Sequence, residues 1–92
     1  MNQDQFLQIL KDSGYPDPVE VQQASNGHLD DHTHPFAVQA LVIDGYIEIQ
    51  TQGKTQIYKV GDVFKLDYEQ VHSETYGPQG VKYLASRKQS FS

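Results

Sequence analysis

The sequence predicts an all-β domain, a sandwich or barrel, preceded by one short helix. Three observations carry that prediction. From Val19 onward, short alternating or continuous apolar runs recur, each bounded by Gly, Pro, Asn or Asp, and they amount to about eight strands. Helical spacing is confined to the first segment. The chain has 92 residues, enough for one domain with a modest core.

The first segment places Phe6, Leu7, Ile9 and Leu10 on one apolar stripe, with Gly14 where a C-terminal cap belongs and Asn2 or Asp4 available as the N-cap. So short a helix is marginal alone and must dock on the rest. Tyr15-Pro16-Asp17-Pro18 then breaks it, because proline lacks the amide hydrogen and pushes its predecessor out of the helical region. Residues 19–23 form a short alternating strand, and Ser25-Asn26-Gly27 reads as a turn. Residues 28–34 form the next strand, ended by Pro35. Residues 36–43 are almost continuously apolar, the pattern of a strand covered on both faces, and Asp44-Gly45 closes it. Residues 46–52 alternate, with Ile47 and Ile49 on one face. Gly53-Lys54 reads as a hairpin turn to residues 55–60. Gly61-Asp62 turns into 63–66, and a polar loop at 67–70 leads to 71–76. Gly77-Pro78-Gln79-Gly80 turns into 81–87, after which the tail carries no pattern. The expected organisation is a helix and lead-in at 1–18, one barrel domain at 19–88 and a tail at 89–92.

Composition narrows the function. There is no cysteine, so disulfides and thiolate metal sites are excluded, and any bound ion must use nitrogen and oxygen donors. The formal net charge is −5, and the basic residues are scattered, which argues against a nucleic-acid partner. Lys82, Arg87 and Lys88 read as protection of a strand edge. The N-terminus lacks the basic start and apolar run of a signal peptide, and no stretch has the length of a membrane span. A cytoplasmic protein is the expectation.

The residues with metal chemistry are the histidines. His32-Thr33-His34 on a strand turns both rings to one face, and His72 follows the Gly61-Asp62 turn. Folded β-structure of this kind brings three imidazoles toward one ion. His28 shares their parity but lies outside the pattern and reads as an exposed histidine. Asp30 and Asp31 read as solvated. Glu74 shares strand parity with His72, which makes it the candidate general acid or base, against the plain reading of an ion-paired edge residue. Phe36, Tyr58, Tyr68, Tyr76 and Tyr83 read chiefly as core or interface, the alternative being a pocket lining around the metal, for which Tyr76 and Tyr83, flanking the Gly77–Gly80 turn, are the two to test.

The run Gly27-x4-His32-x-His34-x4-Gln39-x5-Gly45 resembles the first motif of the cupin superfamily, in which glycine, HxH, glutamate and a second glycine recur. Gly61-Asp62-x9-His72 resembles the second motif, and the fifteen residues between Gly45 and Gly61 match the short spacing of small single-domain cupins. The resemblance implies a double-stranded β-helix, or jelly-roll barrel, with a divalent transition metal (Zn, Ni, Fe or Mn) held by His32, His34, His72 and Gln39. Counted forward from His34, the family's glutamate falls on Gln39. Counted back from Gly45, it falls on Val38, which has no donor atom. Gln39 is taken as the fourth metal residue, either ligating directly or holding a coordinated water. An amide oxygen in place of a carboxylate leaves the ion more electrophilic and less tightly held. In the second motif, Asp67, Glu69 and Tyr76 stand at the usual proline, glycine and asparagine. The implied function is a metal-dependent enzyme acting on a small molecule, dioxygenase- or isomerase-like. The alternative is a non-catalytic ligand-sensing or metal-binding module. The expected partners are a small-molecule ligand and a second copy of the chain, as a homodimer.

Overall fold

One helix and six strands follow one another in a computed structural model that describes residues 1–89. Of the expected tail, residues 90–92 lie outside the described residues.

The helix, α1 (Gln3–Asp12), begins on a capping box: Asn2 Oδ1 accepts from the Gln5 amide at 2.8 Å, and Gln5 Oε1 accepts from the Asn2 amide at 3.0 Å. It ends at Ser13, followed by Gly14 in the left-handed region (φ 74°). Phe6 and Leu10 are its buried residues and pack on Leu41, with Tyr15, Ile43, Val63 and Leu84 around them. Burying each such side chain contributes about 1.5–3 kcal/mol, which docks a helix too short to stand alone.

The strands are β1 (Val19–Gln23), β2 (His28–His32), β3 (Ala37–Thr51), β4 (Lys54–Lys59), β5 (Val63–Leu66) and β6 (His72–Lys88). All pairings are antiparallel. β6 pairs with β1 from Val19↔Ala85 to Gln23↔Val81, and with β2 from His28↔Thr75 to His32↔His72. β3 pairs with β5 from Val38↔Leu66 to Leu41↔Val63, and with β4 from Tyr46↔Lys59 to Thr51↔Lys54. β3 and β6 pair with each other along their length. Each long strand therefore passes from one half of the molecule to the other, which is the architecture of a double-sheet jelly roll.

The two passages explain where the sequence reading and the structure differ. Asp44-Gly45 and Gly77–Gly80 read as turns, yet both lie inside continuous strands. The β3–β6 register slips between Val42 and Asp44 and again between Gly45 and Ile47, as a β-bulge requires. Gly45 and Gly80 both adopt positive φ (71° and 74°), and a Cβ on Gly45 would run into the Gly80 carbonyl. The slip changes the pleat's parity. Val38, Ala40 and Val42 point inward before it, Ile47 and Ile49 after it, and in β6 Tyr76 precedes Val81, Tyr83 and Ala85. One core is thus lined from both halves although the inward positions switch from even to odd. The β3–β4 hairpin turns on Gln52 and Gly53 (φ 50° and 79°), one residue before the expected pair, since positive φ at both central positions matches the twist of the strands.

Candidate metal centre

Strand pairing assembles the histidines. His32 ends β2 and lies directly across the ladder from His72, the first residue of β6. Their rings are 4.2 Å apart between centroids. His34 follows in the loop, 5.0 Å from the His32 ring and 5.2 Å from the His72 ring. It stacks on Phe36 at 5.0 Å and 7°, while the Arg87 guanidinium lies 5.5 Å from the Phe36 ring. The backbone of the same loop is held too: the Glu69 amide donates to the His34 carbonyl at 2.8 Å. Two residues past His72 on the same face, Glu74 enters the cluster. His32, His34, His72 and Glu74 place one donor atom each within 4.8 Å of one another.

The hydrogen bonds decide which ring nitrogens are free. His32 Nδ1 donates to the Asp30 carbonyl at 2.7 Å and His72 Nδ1 to the Gln70 carbonyl at 2.9 Å. A carbonyl only accepts, so both Nδ1 atoms carry the proton. Both Nε2 atoms then turn toward the same carboxylate oxygen, Glu74 Oε2, each at 3.1 Å. In the neutral tautomer that contact sets lone pair against lone pair. Only additional protons or a cation between the donors resolves it, and His72 and Glu74 are shut away from water at 1% and 6% exposure. Burial first, and then the neighbouring His72 and His32, push the His34 imidazole below the usual histidine range, keeping it neutral and able to donate an electron pair near pH 7.

This donor set fits a divalent transition ion. Donors about 2.0–2.2 Å from one ion at tetrahedral or octahedral angles stand roughly 3 Å apart, which the Nε2–Oε2 separations match. Three imidazole nitrogens and one carboxylate oxygen suit Zn, Ni, Fe, Mn or Cu rather than Ca or Mg. The Nδ1 bonds to backbone carbonyls hold the His32 and His72 rings in place, as a metal site requires of its imidazoles.

Three residues take roles other than those the sequence suggests. Gln39 is not in the cluster: it sits on the opposite face of β3, at 5% exposure, with Nε2 3.5 Å from Ser13 Oγ of the helix end. Among the described residues, its Oε1 has no hydrogen-bond partner. The physical reason is parity, since position 38 points into the core and position 39 therefore points out of it. Counting back from Gly45 selects the inward residue, and that residue is Val38. The carboxylate nearest the three histidines is Glu74, which the sequence suggests as a proton-moving group beside the site and whose Oε2 lies 3.1 Å from two of them. Tyr76 is the residue that sequence reasoning underuses: its hydroxyl donates to Glu74 Oε1 at 3.1 Å. The signal lies in His72-x-Glu74-x-Tyr76, three residues on one strand face. Burial and the Glu74 charge raise the Tyr76 phenol, which keeps it protonated as the donor. Tyr83 receives a 3.5 Å contact from Gln23 Nε2 and packs edge-on against Phe64. His28 lies apart, half-exposed, between Thr75 Oγ1 at 2.7 Å and Asp30 at 3.1 Å.

No protein-family model matches the sequence, and no curated protein matches it. Solved structures do. A protein of unknown function from Rhizobium leguminosarum superposes with TM-score 0.72 at 15% identity, over 87% of this chain and 88% of that one. An RmlC-like cupin from Shewanella frigidimarina gives 0.67 at 16% identity, over 79% of this chain and 65% of that one. A cupin-like protein from Thermotoga maritima gives 0.67 at 25% identity, over 77% of this chain and 55% of that one.

The chain has the fold of a small cupin domain. The chain spans about two thirds or less of the length of the Shewanella and Thermotoga proteins. Its fold agrees with the jelly roll that the two motifs imply, and the carboxylate beside the three histidines stands on β6 rather than at the β3 position of the first motif. Among the described residues, no helix of this cupin is long and apolar enough to cross a membrane.

Proposed function

We propose that this cupin binds one divalent transition ion through His32, His34, His72 and Glu74 and acts as a metal-dependent enzyme on a small molecule. The observation that carries the reading is the pair of Nε2 atoms, fixed by their Nδ1 bonds, that converge at 3.1 Å on one oxygen of a buried carboxylate. An ion held by these residues would relieve the repulsion of their lone pairs. Bound, it supplies Lewis-acid polarisation to an oxygen of the small molecule.

The protein's own groups then divide the work. His72 and Glu74 form the buried floor, while His32 and His34 are partly exposed, so a small molecule reaches the site past these two rings. The carbonyls of Asp30 and Gln70 fix the orientation of the His32 and His72 rings. Phe36 supports the third ring by stacking. The floor itself is closed to solvent, with His72 1% and Glu74 6% exposed. One carboxylate among three neutral imidazoles leaves a net positive centre, which favours a small molecule offering an anionic or strongly polarised oxygen.

Elemental analysis of the purified protein tests the reading, before and after reloading with Ni, Zn, Fe and Mn. About one ion per chain is expected, lost on His72→Ala and retained on His28→Ala. Less than about a tenth of an ion per chain after every reloading overturns it. Oxygen uptake and product assays on a panel of small thiols, diketones and sugars then test the catalytic part.

A further inference from the structure

We infer that Tyr76 is a positioning residue of the metal centre: its hydroxyl occupies Glu74 Oε1, so that Oε2 alone is presented to the ion. The inference rests on the metal reading above and adds to it a residue that is not a ligand and a specific mode of carboxylate binding.

A carboxylate has two equivalent oxygens and, left free, binds a cation through one or both. Here the two oxygens are assigned different partners. Oε2 faces His32 and His72 at 3.1 Å each, and Oε1 accepts the Tyr76 hydroxyl at 3.1 Å. Both side chains are buried, Glu74 at 6% and Tyr76 at 5%, so solvent does not compete for Oε1. The phenol is a donor at every pH the fold meets near neutrality, and a hydrogen bond to an ionised acceptor is among the stronger kinds.

The tyrosine is itself held from two sides. Its amide donates to the Gly27 carbonyl at 2.9 Å, pinning β6 to the start of β2. Its ring passes so close to Gly27 that a Cβ there would stand 2.9 Å from Tyr76 Cδ2. A side chain at position 27 would therefore push the ring and, with it, the hydroxyl. The first glycine of the HxH motif thus serves the metal centre through the tyrosine rather than through a turn alone.

Tyr76→Phe keeps the ring and removes only the hydroxyl. The test loads wild type and variant with Co(II) and follows the ligand-field absorption spectrum together with affinity by chelator competition. In Tyr76→Phe, Oε1 is free to join the ion or to swing away. The expected result is about one Co(II) per chain, affinity weakened roughly 10- to 100-fold, and altered band positions and intensities. Gly27→Ala, which crowds the ring but keeps the hydroxyl, is expected to move both readouts in the same direction by less, and serves if the phenylalanine variant folds poorly. A tyrosine that merely packs would change thermal stability and leave the spectrum of each bound ion as in wild type. Wild-type protein that binds Co(II), with both variants matching it in affinity and spectrum, overturns the assignment of Tyr76 alone. Wild-type protein that binds no Co(II) overturns the metal reading, and the assignment with it.

Discussion

Truncating His72 to alanine is expected to cost stability in two separable parts. The side chain is 1% exposed, with Nδ1 2.9 Å from the Gln70 carbonyl and Nε2 3.1 Å from Glu74 Oε2. Without it, the Gln70 carbonyl loses its donor and a cavity opens beside a buried carboxylate. Large-to-small changes at such buried positions cost about 2–5 kcal/mol, the lost bond to the partly buried Gln70 carbonyl contributing about 1 kcal/mol of it. Taking about 3 kcal/mol for the metal-free protein, the thermal midpoint of a 92-residue domain falls by roughly 12–24 °C. The second part appears only with metal. At free ion about 100 times Kd the wild type gains about 2.7 kcal/mol that the variant lacks, so the gap widens to about 6 kcal/mol. Urea denaturation in chelator and in saturating Ni(II) separates the parts. His34→Ala, at a partly exposed position, should show the metal-dependent part with little of the first. His28→Ala should show neither, remaining within about 0.5 kcal/mol of wild type in both buffers. A gap between wild type and His72→Ala that is the same with and without Ni(II) refutes the reasoning, as does equal widening in His28→Ala.

Gln39→Met should raise stability by about 1 kcal/mol, because it replaces a buried amide whose Oε1 lacks a partner, and should leave metal content unchanged. Loss of the ion in that variant would return the residue to the donor set. Burial, opposed by the Gln23 hydrogen bond and reinforced by Glu74, raises the Tyr83 phenol above its usual 10.0. The unfolded chain therefore releases that proton first, so the contribution is complete below about pH 10 and is lost as pH rises through the folded-state value. Tyr83→Phe should flatten the alkaline limb of a stability–pH profile, and coincident limbs would remove this residue as its source. Gly45→Ala should destabilise by about 2–4 kcal/mol, since alanine must hold a positive φ while its methyl meets the Gly80 carbonyl, and an unchanged urea midpoint would contradict the bulge's role.

The parts of this molecule that follow from periodicity were legible in the sequence. Phe6 and Leu10 mark the helix face that docks, and the alternating runs after Val19 correspond to the segments that form the two halves of the jelly roll. What was not legible depends on partners distant in sequence. Asp44-Gly45 and Gly77–Gly80 have turn chemistry, but whether such a pair reverses the chain or bulges a strand is decided by the opposing strand, here Gly80 against Gly45. Counting forward from His34 and back from Gly45 gives Gln39 and Val38, and only the pleat of the folded strand shows that Val38 is the one facing the core. His32 and His72 were found because histidine spacing survives such slips. Glu74 was noticed by parity, but its place among the donors required the cross-strand pairing of His32 with His72. Tyr76 stood out in the sequence as one of two aromatics that could line the site, but its bond to Glu74 Oε1 is visible only in the structure.

The central claim is that one ion sits between His32, His34, His72 and Glu74. Anomalous diffraction from a crystal grown with Zn(II) or Ni(II), collected across the absorption edge, tests it most directly. The account predicts one strong peak per chain, about 2.0–2.2 Å from three imidazole nitrogens and from Glu74 Oε2, with Gln39 remote from it. A peak elsewhere, or ordered imidazoles in saturating metal with no peak between them, contradicts it.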